Sequence, residues 1–211
     1  LSMAKGEYIC FLDGDDYIHN NMVQKLFNEI NSKNLDLVVC NYYEDVNGKI
    51  RNAYHENIYN KLLSKYNKST LLQICPGPWS KIYRRSFVKE NDIKFIEGDY
   101  FYEDNPFHWL NIISTDKIGV IPDKLIYHRQ ETSRKQTTSA FNTKDNFDLT
   151  HFFSVFYAIK NLIKNNNYYK NTFQQWCKKE FLKSIVKDDK KINNKINRIY
   201  NNFTNNQSTY V

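Results

Sequence analysis

Lys5-Gly-Glu-Tyr-Ile-Cys-Phe-Leu-Asp-Gly-Asp-Asp-Tyr-Ile18 is the stretch whose reading decides the fold. Residues 8–12 form an apolar run rich in residues that favour β structure, and Asp13, Asp15 and Asp16 follow at once. That pattern reads as a buried strand delivering carboxylates at its carboxyl end, the edge at which open α/β sheets hold their ligands. Acids packed this closely raise one another's pKa unless a cation or hydrogen-bond donors offset the repulsion, so a divalent metal suits the group. An Asp-Gly turn whose acids merely face water accounts for the same string. An EF-hand loop does not, because Ile18 and Gln24 stand where it needs Gly and Glu.

Downstream of the acids, Asn20 or Asn21 can cap a helix running to about Lys33, with Met22, Val23, Leu26, Phe27 and Ile30 at helical spacing. A second strand is predicted over 35–43. Strand, helix and strand make a βαβ unit, which predicts two parallel neighbours with the acidic loop at their shared carboxyl edge. Asn47-Gly48 turns the chain into a weak strand over 49–54. Residues 58–74 read as two helical pieces, with Ser69 capping the second.

Cys75-Pro-Gly-Pro-Trp-Ser-Lys81 breaks any regular element. Trp79 can offer a flat apolar face to a ring and Lys81 a donor or a charge; equally, Trp79 can plug the core while Lys81 snorkels to solvent. A short basic helix is expected over 84–91 and an extended piece over 93–96. Next comes Glu103-Asp104-Asn105-Pro106, where Pro106 fits a first helical turn and Asn105 or Asp104 its cap. Acids there are stabilised by the helix dipole without any catalytic role; a carboxylate fixed at a pocket mouth can also accept a proton. Two short strands, 117–121 and 125–129, are predicted on either side of Pro122-Asp123. The second delivers His128 and Arg129 into a polar loop that also carries Arg134 and Lys135, a set of cations suited to a phosphate-bearing ligand. From about Thr143 the pattern is helical, over 143–165, 173–186 and 192–200, with no acid pairs or ligand clusters.

The 211 residues carry a net charge of +7 and 16% aromatics, a globular composition with affinity for something anionic. Much of the basic excess is scattered through the last third, as a solvated helix face would be, and nucleic acid is not the expected partner. Cys10, Cys40, Cys75 and Cys177 lack both zinc-site spacing and the density of a disulfide scaffold, and Cys10 and Cys40 read as small buried hydrophobes. A cytoplasmic location is expected. An amphipathic helical last third leaves room for a peripheral position at the inner face of the membrane.

The order of the motifs carries more than any one of them. Ala4-Lys-Gly-Glu-Tyr-Ile-Cys-Phe-Leu-Asp-Gly-Asp-Asp-Tyr-Ile18, then Pro78-Trp-Ser-Lys-Ile-Tyr83, then 95–98, then Tyr102-Glu-Asp104, then Ile126-Tyr-His-Arg129 resembles the succession of landmarks in family 2 glycosyltransferases, inverting enzymes of GT-A fold. The resemblance covers about residues 1–140. It implies an α/β fold: a GT-A-like, Rossmann-like mixed sheet without its first nucleotide-binding strands, over 1–140, followed by a helical appendage over 141–211. The family's front half, with its base-gripping segment, has no counterpart here, so a chain truncated at its N-terminus is expected, with the 8–12 strand in the interior of the complete sheet.

In function the resemblance implies transfer of a sugar from a nucleotide-sugar donor to an acceptor hydroxyl, with inversion, in bacterial surface polysaccharide or glycan assembly. Asp13 and Asp15 match the DxD motif, which holds manganese or magnesium against the diphosphate, with Asp16 supporting the loop. Asp104 matches the catalytic base, with Glu103 beside it. Trp79 and Lys81 would border the sugar or acceptor, and Arg129, Arg134 and Lys135 would close over the diphosphate. His128 is a further candidate metal ligand, and the acceptor would be a glycan or a lipid-linked one. The alternative is a non-catalytic remnant or partner-binding module of the same fold.

Overall fold

The structure, a computed structural model, describes residues 1–97, 102–130 and 149–184, except the side chains of 149–154 and 178–184. Two compact units result, Leu1–Leu162 and Ile163–Val211.

The first unit is built on a mixed sheet. Its strands are β1 (Tyr8–Cys10), β2 (Tyr17–Ile18), β3 (Leu37–Val46), β4 (Lys49–Asn52), β5 (Lys81–Arg84) and β6 (Ile118–Gln130), in the order β1-β5-β3-β6-β2 with β4 paired to β3. The expected βαβ handedness therefore needs one correction. β1 and β3 run parallel but are not neighbours, because β5 lies between them and is antiparallel to both. β1 also stands at one end of this strand order rather than inside it. It is shorter than the 8–12 run, and alternation along it buries Ile9 while Cys10 is exposed, against the expectation of a buried thiol.

The inserted strand has a consequence for the site. Cys10 pairs with Ile82, Ile82 with Val38, and Val39 with Lys81. Because β5 is antiparallel, its amino end lies level with the carboxyl ends of β1 and the first half of β3. The 75–81 segment is thus delivered to the same edge as the acids.

Beyond Val39 the sheet changes partners. Between the pairs Val39–Val120 and Asn41–Lys124, β3 advances two residues while β6 advances four. This bulge absorbs Pro122, which has no N–H to give a ladder, so the two strands expected over 117–121 and 125–129 are one bulged strand. The far half, β4-β3-β6-β2, carries a cross-strand row of tyrosines. Tyr17 stacks on Tyr127 at 4.6 Å and Tyr127 on Tyr43 at 5.3 Å. Arg129 covers the ring of Tyr17 and Lys124 that of Tyr43. Tyr17 also donates to Asp45 at 2.9 Å. These contacts hold β2, a strand of two residues, and with it the downstream end of the acidic loop.

Helix α1 (Met22–Ser32) buries Met22, Leu26 and Ile30 and leaves Val23 and Phe27 exposed. Asn21 is its N-cap by position, without a side-chain capping bond. α2 (Glu56–Ser64) and α3 (Lys68–Leu71) replace the two expected pieces. Asn67, not Ser69, caps α3, accepting from the N–H of Thr70. A 3-10 turn spans Pro78–Ser80, and α4 covers Arg85–Glu90. Residues 93–96 belong to no strand. α5 (Asp104–Ile113) begins one residue earlier than a cap at Asp104 or Asn105 would allow, with Glu103 at the N-cap position.

α6 (Leu149–Leu162) belongs with the sheet unit and packs against α5. In the second unit, α7 (Asn167–Ser184) buries Tyr169, Phe173, Trp176 and Cys177 along one face, and Phe173 stacks on Trp176. The expected helix over 192–200 lies outside the described residues. Among those described, no helix is long and apolar enough to cross a membrane.

Candidate active site

The acidic loop leaves β1 at one edge of the sheet and enters β2 at the other, so residues 11–16 run along the sheet's end. Phe11 anchors the start, packing edge-on to Tyr83, Phe95 and Phe107. A turn closes 13–16, with the Asp16 N–H donating to the carbonyl of Asp13 at 3.1 Å. Asp13 and Asp15 are exposed at its tip, and Asp16 turns inward.

Asp16 has structural work to do. Its carboxylate is fully shielded and accepts the backbone N–H of Arg129 at 2.9 Å and contacts His128 Nδ1 at 3.1 Å. The loop is thereby tied to the end of β6. Burial opposes the charge on His128, but the Asp16 hydrogen bond, with the charges of Asp16, Asp13 and Asp15, outweighs it and raises the imidazole. The His128 ring in turn stacks on the indole of Trp79, 5.2 Å between centroids and 11° from parallel.

Trp79 is 4% exposed and also meets Tyr42 edge-on. Its faces are used inside the protein, so of the two sequence readings the core plug describes it better than an open platform. Lys81 departs further from expectation. It is 1% exposed and does not snorkel; Nζ donates to the carbonyls of Cys75, Pro76 and Gly77 at 3.1, 3.3 and 2.6 Å. A donor so engaged has no proton left for a sugar, which removes Lys81 from the set that touches substrate.

Asp104 opens α5. Burial, then Glu103, then Asp13 push its carboxyl up to about 7, and Lys81 pulls the other way. Asp13 is likewise raised, by burial first and then by Asp16, Asp15 and Glu103, with His128 opposing. The two acidic groups, Asp13, Asp15 and Asp16 on the loop and Glu103 and Asp104 at the helix, are therefore within electrostatic reach of each other through Asp13. Arg129 gives its backbone to Asp16 and its guanidinium to Tyr17, whereas Arg134 and Lys135 lie outside the described residues.

Among the described residues no three His, Cys, Asp or Glu side chains converge as a ready metal cluster. Asp13 is nonetheless under net repulsion from neighbouring carboxylates. Asp13 in that condition, with the exposed Asp15 beside it, fits a cation shared with substrate phosphates, the manner in which magnesium is commonly held, and not an all-protein cage.

Three positions escaped the sequence reading. Gly77 lets the indole of Trp79 lie against the backbone, since a Cβ there would fall on that ring. Tyr17 and Asp45 pin the loop's far end. The Pro-Gly-Pro-Trp string and the tyrosines flanking both the acids and His128 were the available signals.

Residues 1–91 match the family described as Glycosyl transferase family 2. Over 136 residues the chain is 26% identical to the uncharacterized glycosyltransferase EpsJ of Bacillus subtilis, a match covering 62% of this chain and 40% of that one. It is 27% identical over 150 residues to the poly(ribitol-phosphate) beta-N-acetylglucosaminyltransferase TarS of Staphylococcus aureus, covering 70% of this chain and 25% of that one. The chain thus spans less than half the length of these curated relatives. A crystal structure of S. aureus TarS 1-349 in complex with UDP-GlcNAc superposes with a TM-score of 0.63 at 21% identity, covering 85% of this chain and 50% of that one, which shows a shared fold. Over residues 1–91, which carry the acidic loop and the 75–81 segment, the chain is thus similar to glycosyl transferase family 2.

Proposed function

We propose that this sheet edge transfers a sugar from a nucleoside-diphosphate donor to an acceptor hydroxyl with inversion, as part of bacterial glycan assembly. The observation that carries the reading is Asp104: a half-buried carboxyl at a helix start, pushed up to about 7 and within electrostatic reach of Asp13 on the acidic loop. A carboxyl with that pKa is a competent general base near neutral pH. It takes the proton of the acceptor hydroxyl as that oxygen bonds to the anomeric carbon. The bond from that carbon to the diphosphate breaks on the opposite face, and the electron pair leaves with the diphosphate.

Asp13 and Asp15 would hold manganese or magnesium against the donor, which supplies Lewis-acid neutralisation of the departing charge. Asp16 fixes the loop that presents them. His128, whose imidazole is raised by its carboxylate neighbours, would direct positive charge towards the diphosphate when protonated, and Arg129 lies on the same strand end. The UDP-sugar class is the first donor to test, since TarS has been crystallised with UDP-GlcNAc. The acceptor would be a glycan or a lipid-linked glycan, met in the cytoplasm or at the membrane's inner face.

The test is calorimetric titration of full-length protein with UDP-sugars in the presence of manganese or magnesium, with release of UDP followed in parallel. Binding and turnover of at least one donor are expected. Neither binding nor hydrolysis across a panel of nucleotide sugars would overturn the reading.

A further inference from the structure

Lys81 is the buried charge that the transfer chemistry leaves without an assignment. A lysine ammonium has three protons and no acceptor, and three consecutive carbonyls, those of Cys75, Pro76 and Gly77, take them up. Three neighbouring carbonyls do not turn inward together without a cation to face, since their dipoles repel and each would be an unsatisfied buried acceptor. The segment cannot organise itself from within, because Pro76 and Pro78 bring no N–H. Lys81 supplies that organisation from the first residue of β5.

The consequences run in two directions. Gly77, held through its carbonyl, is the position against which the Trp79 indole lies; Trp79 stacks on His128, and His128 bonds to Asp16. In the other direction the ammonium is the positive charge acting on Asp104, against burial, Glu103 and Asp13.

We propose that Lys81 is a positioning residue of the transfer site: its ammonium folds the 75–77 backbone around itself, sets Trp79 against His128, and acts on Asp104 through its charge. The part concerning catalysis rests on the reading of Asp104 as the base. Lys81 itself touches no substrate.

The experiment uses full-length protein with carbon-13-labelled aspartate, the Asp104 carboxyl signal being assigned by its loss in Asp104→Asn. In Lys81→Met the Asp104 carboxyl should titrate higher than in the parent by about half a pH unit or more. Transfer at pH 7 should fall by about twofold or more and recover in part at pH 9, with the donor KM little changed. A merely structural lysine predicts an equal loss at every pH and no movement of Asp104, and an unmoved Asp104 overturns the proposal. Should Lys81→Met fail to fold, Asp104→Asn with nitrogen-15-labelled lysine gives the reciprocal measurement. The Lys81 ammonium should then titrate lower than in the parent, and an unchanged midpoint overturns the proposal. A shift in either titration without transfer of any sugar would reject the base assignment while leaving the Lys81 coupling in place.

Discussion

The two sides of the sheet edge are built in opposite ways. On the base side, residues 77–81 are buried, Lys81 has every proton engaged, and Asp104 sits at the start of a helix whose next five residues are all buried. On the acidic side, Asp13 and Asp15 stand exposed at the tip of a loop held at its two ends, by Phe11 upstream and by Asp16 and Tyr17 downstream. One side is preorganised and bears its electrostatic strain inside the protein. The other keeps a surplus of negative charge that an incoming cation would relieve. The difference teaches where binding energy would be used: the base needs none to be positioned, whereas the acidic loop is completed by its ligand.

The sharpest way to break this comparison is Asp104→Asn in full-length protein. Transfer should fall by about 10²–10⁴-fold, the range for loss of a general base, while donor affinity stays near that of the parent. Equal transfer by the two proteins would remove Asp104 from the mechanism. The same change tests the strain. Because the folded carboxyl is raised, the stability tied to its protonated form is fully present below about pH 4 and is lost as pH climbs through about 7. The asparagine chain should therefore melt higher than the parent at pH 8, by up to ~4 kcal/mol on a shift of this size, and not at pH 4. Below pH 7 the parent should lose transfer as its base is protonated.

On the acidic side the expected result is reversed. Asp13→Asn with Asp15→Asn should weaken donor binding in manganese or magnesium by about tenfold or more, read by calorimetry. It should leave the melting temperature unchanged or slightly raised, since one source of repulsion is gone. Unchanged donor affinity would mean that the loop is an acidic turn and not a ligand site.

How much of this was legible in the sequence follows the same division. The acids after an apolar run, and the acid pair at a helix start, are local patterns, and both were readable from spacing. The insertion of β5 between β1 and β3 was not, because strand order is set by pairing between segments about 40 to 75 residues apart, on which local periodicity is silent. Pro122 misled in the other direction. It suggested a turn, and the sheet absorbed it in a bulge. Lys81 was misplaced for a related reason: a lysine reads as exposed unless something buried can take three protons, and the carbonyls that do so belong to a loop whose shape depends on the lysine itself.

Gly77→Ala probes the built side without altering a charge. The added methyl would meet the Trp79 indole, so either the ring or the backbone gives way, at a cost of about 1–3 kcal/mol in urea unfolding. If the wall acts as one piece, the stacking of Trp79 on His128 is lost as well, visible as a change in tryptophan near-ultraviolet dichroism. A neutral result would mean that the 75–79 segment has slack and that its burial is incidental.

The smallest effect should come from Tyr127→Leu, at the centre of the tyrosine row. Leucine keeps the strand and most of the apolar area but removes two stacking contacts, with Tyr17 on one side and Tyr43 on the other. Aromatic pairs contribute ~0.5–1.5 kcal/mol beyond area, so a loss of about 1–2 kcal/mol is expected. The cost should not fall evenly. Among the described residues β2 is held by the ladder to β6 and the Tyr17 contacts, so amide exchange at residues 16–18 should quicken more than exchange in β5. Uniform quickening would show that the acidic loop is no more loosely anchored than the wall facing it, and the contrast between the two sides would fail at its structural root.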